Sequence, residues 1–129
     1  MKKRKRKNSP PFNSPLAKEG KRGIFISFEG IEGTGKSTQA RMLSEYPMKK
    51  GLKTVLTEEP GGTPISREIR RVLLSTKHDK MDYMAELLLY NAARIQHIKE
   101  KIIPALSKGK IVITDRFSDS TVAYQGYGR

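Results

Sequence analysis

The chain has 129 residues, no cysteine, and a formal charge of +13 from 26 basic and 13 acidic residues. That length suits one domain with a core of its own, and the lack of cysteine excludes disulfides and thiolate metal sites. No stretch is long and apolar enough to span a membrane, and the basic start "MKKRKRKNSPPF" leads into no apolar secretory segment, so the default location is cytoplasmic.

Residues 1–22 carry nine of the basic residues and one of the acidic ones, mixed with Asn8, Ser9, Pro10, Pro11, Asn13, Ser14 and Pro15. Such a composition buries too little apolar surface to offset the entropy of ordering it, and a disordered basic tail is expected. The charge alone would suit a nucleic-acid-binding arm. No aromatic or stacking pattern accompanies it, so a solvated extension is the reading adopted and nucleic acid is not an expected partner.

The rest, 23–129, reads as one domain. "IFISF" (24–28) is a continuous run of β-branched, aromatic and aliphatic residues, which predicts a strand buried on both faces of a parallel sheet. "STQARMLSEYPMKKG" predicts a helix stopped at Gly51, with Pro47 ending or kinking it early. "KTVLT" (53–57) is a second strand and "EEPGGTP" a turn-rich loop. A helix over 65–75 spaces Ile65, Ile69, Val72 and Leu73 along one face. "MDYMAELLLYNAARIQHIKEKIIPAL" continues as a longer helical region with an apolar stripe of Met84, Leu87, Leu88, Ile95 and Ile98, and a bend at Pro104. "KIVIT" (110–114) is a third buried strand ending at Asp115, and "SDSTVAYQGYGR" opens like a capped helix. The order β-α-β-α-α-β-α argues an α/β layered fold with a parallel sheet.

Between the first strand and its helix, Gly30, Gly35, Lys36 and Ser37 satisfy G-x-x-x-x-G-K-[ST] in the context that motif requires. Glycines let successive backbone N–H groups converge on phosphate oxygens, and the helix N-terminus adds positive potential. Lys36 supplies a mobile charge to the β- and γ-phosphates, and Ser37 a hydroxyl for Mg²⁺. A glycine turn that merely joins strand to helix explains neither the lysine nor the hydroxyl. No guanine-reading N-K-x-D motif occurs, which argues against a GTPase.

Ligands of open α/β sheets sit outside the carboxyl ends of the strands. Asp115 leaves the third strand there, placed to help hold Mg²⁺, and Arg116 beside it can grip a phosphate with two parallel hydrogen bonds. A surface ion pair is the plainer alternative, weakened by the wholly apolar strand that precedes the two residues. Tyr90 and Arg94 lie four apart, on one helix face and off the apolar stripe. They suit stacking on a base and reaching its carbonyl, but taken alone a surface Tyr–Arg stack is the stronger reading of the pair.

Taken together, "FEGIEGTGKSTQ", "EPGGTPISREIR", "LLLYNAARIQH" and "DRFSDSTVAYQGYGR" resemble bacterial thymidylate kinase, in order and at matching spacings over about 23–129. The resemblance implies a P-loop three-layer α/β/α fold. It implies transfer of the γ-phosphoryl group of ATP, with Mg²⁺, to dTMP, giving dTDP for dTTP synthesis. It also implies a homodimer paired through helices. Carried over, the loop Gly30, Ile31, Glu32, Gly33, Thr34, Gly35, Lys36, Ser37 and Thr38 would cradle the ATP phosphates, with Glu32 facing the acceptor's sugar and phosphate. Lys36, Asp115, Arg116 and Glu32 form the catalytic set, and Ser37 and Asp115 the metal set. Tyr90 would stack on thymine, where relatives usually have Phe, and Arg94 would meet the thymine edge. Arg70 and Arg116 would hold the dTMP phosphate. Thr121 and Gln125 would read the base, and Tyr124 would close over the nucleoside and crowd a 2′-hydroxyl.

Departures from the pattern are Glu58, where the family commonly has arginine before "EPGG", and Pro47 in the first helix. The resemblance also implies a lid with its catalytic arginine, an adenine loop and two more strands beyond Arg129. The expectation is therefore a chain truncated before them, with poor turnover by itself and the first strand left as an apolar sheet edge. The alternatives are a non-catalytic nucleotide-binding fragment and another nucleoside monophosphate kinase. The tail yields a test: deleting residues 1–22 should leave the dTMP dissociation constant, measured by calorimetry at moderate salt, within about twofold. A larger loss that persists at high salt, where surface charge is screened, would place the tail in the site.

Overall fold

The computed structural model describes residues 23–117. Three parallel strands form one sheet: β1 (Ile24–Phe28), β2 (Thr54–Glu58) and β3 (Ile111–Asp115), in the spatial order β1-β3-β2. Ile24 and Thr54 both lie level with Ile111, and Phe28 and Glu58 both lie level with Asp115. The last strand in sequence is therefore the central one. Between β1 and β2 runs α1 (Lys36–Lys49). Between β2 and β3 run α2 (Pro64–Leu74), α3 (Tyr83–His97), a π turn at Ile98–Ile102, and α4 (Ile103–Ser107).

Side chains alternate across a strand, so neighbours on β3 serve different layers. Val112 packs with Ile102 and Ala105, joined by Val55, Ile98, Leu106 and Phe117, on the α4 side. Ile113 points to the opposite face, where α1 lies against β2 and β3. Val112, Ile113 and Thr114 are all fully buried, as expected for this strand. The strand β1 departs from expectation: it pairs only with β3 among the described residues, and Ile24 and Phe25 are 53% and 36% exposed. An apolar run marks a segment that can be covered on both sides, but among the described residues β1 has one neighbouring strand, with the Phe117 ring packed edge-on against Phe25. The apolar sheet edge expected for this segment is what the described residues show.

Pro47 does not end α1 early. It is buried in the last turn, and the helix runs on to Lys49. So near the C-terminus the missing N–H removes only one internal bond. The close is made by Gly51 at φ 75, whose N–H donates to Met48, while Leu52 donates to Pro47. This is a Schellman arrangement needing a left-handed residue. Pro104 is likewise accommodated: the π turn precedes it, and the proline falls in the first turn of α4, where an N–H partner is not required.

The apolar stripes expected on α2 and α3 face inward only in part: Ile69 and Leu73 on α2 are half-buried, and Ile98 packs against the core. Leu88 and Ile95 are 62% and 60% exposed, and Met84, Ile65 and Val72 are exposed with them, while Leu87 and Ile98 are half-buried. On α2, Ser66 is the fully buried residue. Its hydroxyl donates to the Ala93 carbonyl of α3 at 2.7 Å and accepts from Thr63, which also caps the helix through the Ser66 N–H. On α3 the buried residues are Ala93 and His97, with Tyr90 and Arg94 half-buried. The fully buried positions of α2 and α3 are thus small and polar side chains that reach defined partners, which apolar periodicity alone does not single out.

The contrast between centre and edge can be measured. Ile113→Ala should lower the unfolding free energy by about 2–5 kcal/mol, and Ile24→Ala by roughly 1 kcal/mol or less, in urea denaturation of this chain. Equal losses at the two positions would contradict the strand order.

Candidate functional site

The carboxyl ends of the three strands are tied at one level. The Arg116 N–H donates to the Phe28 carbonyl at the end of β1, and the Asp115 carbonyl accepts from the Glu59 N–H beyond β2. Three loops are thereby gathered on one edge of the sheet: the glycine loop, the "EPGGT" loop, and the start of the segment after β3. Arg116 adopts φ 69, a left-handed conformation that a side chain with a Cβ rarely takes, and the Thr114 hydroxyl donates to its carbonyl at 2.9 Å. Such backbone persists only where its surroundings over-determine it, and it clusters at ligand sites.

In the glycine loop, Gly35 precedes α1 at φ 81 and leaves the first-turn N–H groups without a side-chain cap. Those N–H groups and the helix dipole favour an anion. The Lys36 ammonium arches back over the loop, donating to the Ile31 carbonyl and lying 3.5 Å from the Thr34 hydroxyl, which itself donates to Ile31. The Ser37 hydroxyl donates to Asp115 Oδ2, joining the start of α1 to the end of β3. The other oxygen, Asp115 Oδ1, is buried without a hydrogen-bond partner. Glu32 Oε1 lies 3.6 Å from the Arg116 guanidinium. A cavity of about 320 Å³ is lined by Glu32, Gly35, Lys36, Ser37, Asp115 and Arg116. A second of about 320 Å³, between α1 and the end of β2, is lined by Ser37, Glu58, Gly62, Arg67, Lys101 and Asp115. Ser37 and Asp115 border both.

Across from the glycine loop, Arg94 is held from several sides. Its Nε donates to Glu59 Oε2 at 3.0 Å, Nη1 to Asn91 Oδ1 at 3.1 Å and Nη2 to the Phe117 carbonyl at 3.1 Å. Its guanidinium carbon sits 5.5 Å from the centre of the Phe117 ring. Tyr90 precedes it by one turn on the same inward face, so the two are not a solvent-exposed pair. Arg70 donates to the Pro60 carbonyl at 2.6 Å and lies 4.0 Å from Glu58. Arg70, Arg94 and Arg116 thus flank the loops at one sheet edge. Thr121, Tyr124 and Gln125 lie outside the described residues, as does the helix expected after Phe117.

Residues that sequence reasoning passed over turn out to organise this side. Glu59, buried, shares its carboxylate between Arg94 and His97, whose Nδ1 lies 3.0 Å from Oε1. Thr57 Oγ1 meets His97 Nε2 at 2.7 Å, and Lys101 donates to the Gly62 carbonyl at 3.2 Å. The one available signal was that His97 follows Arg94 by one helical turn. Periodicity does not show that a histidine is buried.

Comparison with known proteins agrees with this arrangement. The thymidylate kinase family model matches residues 28–129. Thymidylate kinase of Geotalea daltonii is 57% identical over 107 residues, covering 83% of this chain and 50% of that protein. The enzyme of Halothermothrix orenii is 56% identical over 108 residues, covering 84% and 52%. The crystal structure of thymidylate kinase from Ehrlichia chaffeensis superposes with a TM-score of 0.77 at 46% identity, covering 83% of this chain and 60% of that one. The chain spans about half the length of the curated relatives it matches. With a parallel sheet, a strand–glycine loop–helix unit and a family match over most of its length, the chain belongs to the thymidylate kinase family.

Proposed function

We propose that this chain binds ATP through the Gly30–Thr38 loop and dTMP beside Arg70, Tyr90, Arg94 and Arg116, for transfer of the γ-phosphoryl group to the dTMP phosphate. The observation that carries the reading is the union of Ser37 with Asp115 at the sheet edge, with Lys36 on one side and Arg116 on the other. Three cationic or hydroxyl groups and a carboxylate there face one cavity of phosphate-loop type.

Phosphoryl transfer demands little covalent chemistry from a protein, so positioning and charge carry the catalysis. Backbone N–H groups and Lys36 fix the donor phosphates. Arg116 lies between loop and acceptor, and its contact with Glu32 sets where the guanidinium waits. The buried, unpartnered Asp115 Oδ1 and the adjacent Ser37 hydroxyl fit a Mg²⁺ ion, two oxygen donors suited to a hard cation that takes its remaining ligands from phosphate and water. Bound there, the ion neutralises charge between the phosphates. On the acceptor side, Tyr90 offers a ring for the base and Arg94 a fixed guanidinium for its edge, while Thr121, Gln125 and Tyr124 complete the nucleoside contacts. Exposed Met84, Leu88 and Ile95 on α3, and Ile65 and Val72 on α2, support pairing into a homodimer through these helices. No helix among the described residues is long and apolar enough to cross a membrane, and a cytoplasmic location is proposed with the function.

Calorimetry tests the assignment. The chain should bind ATP with Mg²⁺, and dTMP in preference to dUMP, UMP, CMP and AMP. Lys36→Ala removes a charge-assisted contact to phosphate and should weaken ATP by about tenfold to a hundredfold. Unchanged ATP affinity in that variant would remove the loop from the site, and preference for another monophosphate would replace dTMP.

A further inference from the structure

We propose that His97 is a positioning residue: through the Glu59 carboxylate it sets the place of the Arg94 guanidinium, and so the acceptor-nucleotide site. The imidazole is fully buried and both its nitrogens are engaged. Nδ1 stands 3.0 Å from Glu59 Oε1, and Nε2 stands 2.7 Å from Thr57 Oγ1. A carboxylate only accepts, so Nδ1 carries the proton and donates, and Nε2 shares a second hydrogen bond with the Thr57 hydroxyl. Glu59 Oε2, turned away by this grip, accepts from Arg94 Nε at 3.0 Å. The chain of contacts runs from β2 through α3 to Arg94, and on to the Phe117 carbonyl after β3.

Simple packing does not account for this histidine. An apolar side chain would fill the space between α3 and β2 without the desolvation of two ring nitrogens. The backbone is also shaped to the ring. A Cβ on Gly62 would fall 2.5 Å from His97 Nε2 and 2.7 Å from Thr57 Oγ1, and Gly62 has φ +80, so glycine alone fits there. Lys101 holds the Gly62 carbonyl from the far side at 3.2 Å. The ring therefore determines the orientation of Glu59 and the seating of the "EPGGT" loop, whose Pro60 carbonyl accepts from Arg70. Two cationic groups on the acceptor side, Arg94 and Arg70, are referenced to one imidazole. Positioning partners of this kind orient the groups that touch ligand without touching it themselves.

The inference rests on the reading above for what Arg94 meets, but not for what holds Arg94. The test uses the 129-residue chain labelled with ¹⁵N, with the Arg94 Nε–H resonance and calorimetric affinities for dTMP and ATP as readouts. His97→Ala should weaken dTMP by about tenfold, the size of a lost hydrogen bond to a charged group, and leave ATP within about twofold. The Arg94 Nε–H signal should lose its protection from exchange. His97→Asn places an amide N–H near Nδ1, keeps the donation to Glu59, and should restore dTMP binding to within about threefold along with the Arg94 signal. His97→Gln, which reaches toward Thr57 instead, should not. An unchanged Arg94 signal in His97→Ala would overturn the proposal, as would parallel loss of dTMP and ATP with no rescue by Asn. Should His97→Ala fail to fold, the order Asn above Gln decides, and equality or reversal overturns the proposal. A wild-type chain that shows the Arg94 behaviour but binds no dTMP refutes the kinase reading and leaves the positioning role standing.

Discussion

The arrangement turns on one buried carboxylate. Glu59 follows β2 directly and is 6% exposed, where an unpaired charge would be too costly to keep. It is kept because Arg94 and His97, one turn apart on α3, present donors to its two oxygens at 3.0 Å each. Removing one partner from such a buried pair costs roughly 3–5 kcal/mol, since the other is left uncompensated. That demand explains why Arg94 and His97 lie on the inward side of α3 beside Ala93 and Ile98. It also explains why the "EPGGT" loop lies against α3 and not away from it.

Two neighbours at the end of β2 serve this edge of the sheet. Thr57 meets His97 of α3 and, with Glu58, borders the cavity beside α1. A one-residue shift in β2 would turn their side chains to the opposite faces, because side chains alternate with a period of two. Register is fixed by pairing with β3, whose Asp115 carbonyl accepts from Glu59 and whose following N–H, from Arg116, reaches Phe28. The glycine loop and the "EPGGT" loop are therefore set against each other by backbone hydrogen bonds of the central strand.

Glu58 stands where the family resemblance implies arginine. Its carboxylate lies 4.0 Å from Arg70, and both groups are well exposed. A contact of that length in solvent is weak, so Arg70 is anchored mainly by the Pro60 carbonyl at 2.6 Å.

The phosphate loop was legible from the chain alone because its chemistry is local. Gly30, Gly35, Lys36 and Ser37 are covalent near-neighbours, and their spacing, with a strand before and a helix after, determines what the turn can hold. The strands and the end of the first helix followed for the same reason, from short apolar runs and from Gly51 as a stop. The resemblance of four motifs carried the family. What tertiary structure decided lies between segments far apart in the chain. "IFISF" and "KIVIT" are equally apolar, yet one forms an edge and the other the centre, because strand order depends on where crossovers land and not on composition. The inward face of α3 was legible only in part because its partner, Glu59, lies 35 residues before Arg94 and 38 before His97, beyond the reach of any helical period. Sequence specified the glycine loop and its lysine and hydroxyl; only folding brought Glu59, Arg94 and His97 together, since a buried charge selects its surroundings by pairing and not by pattern.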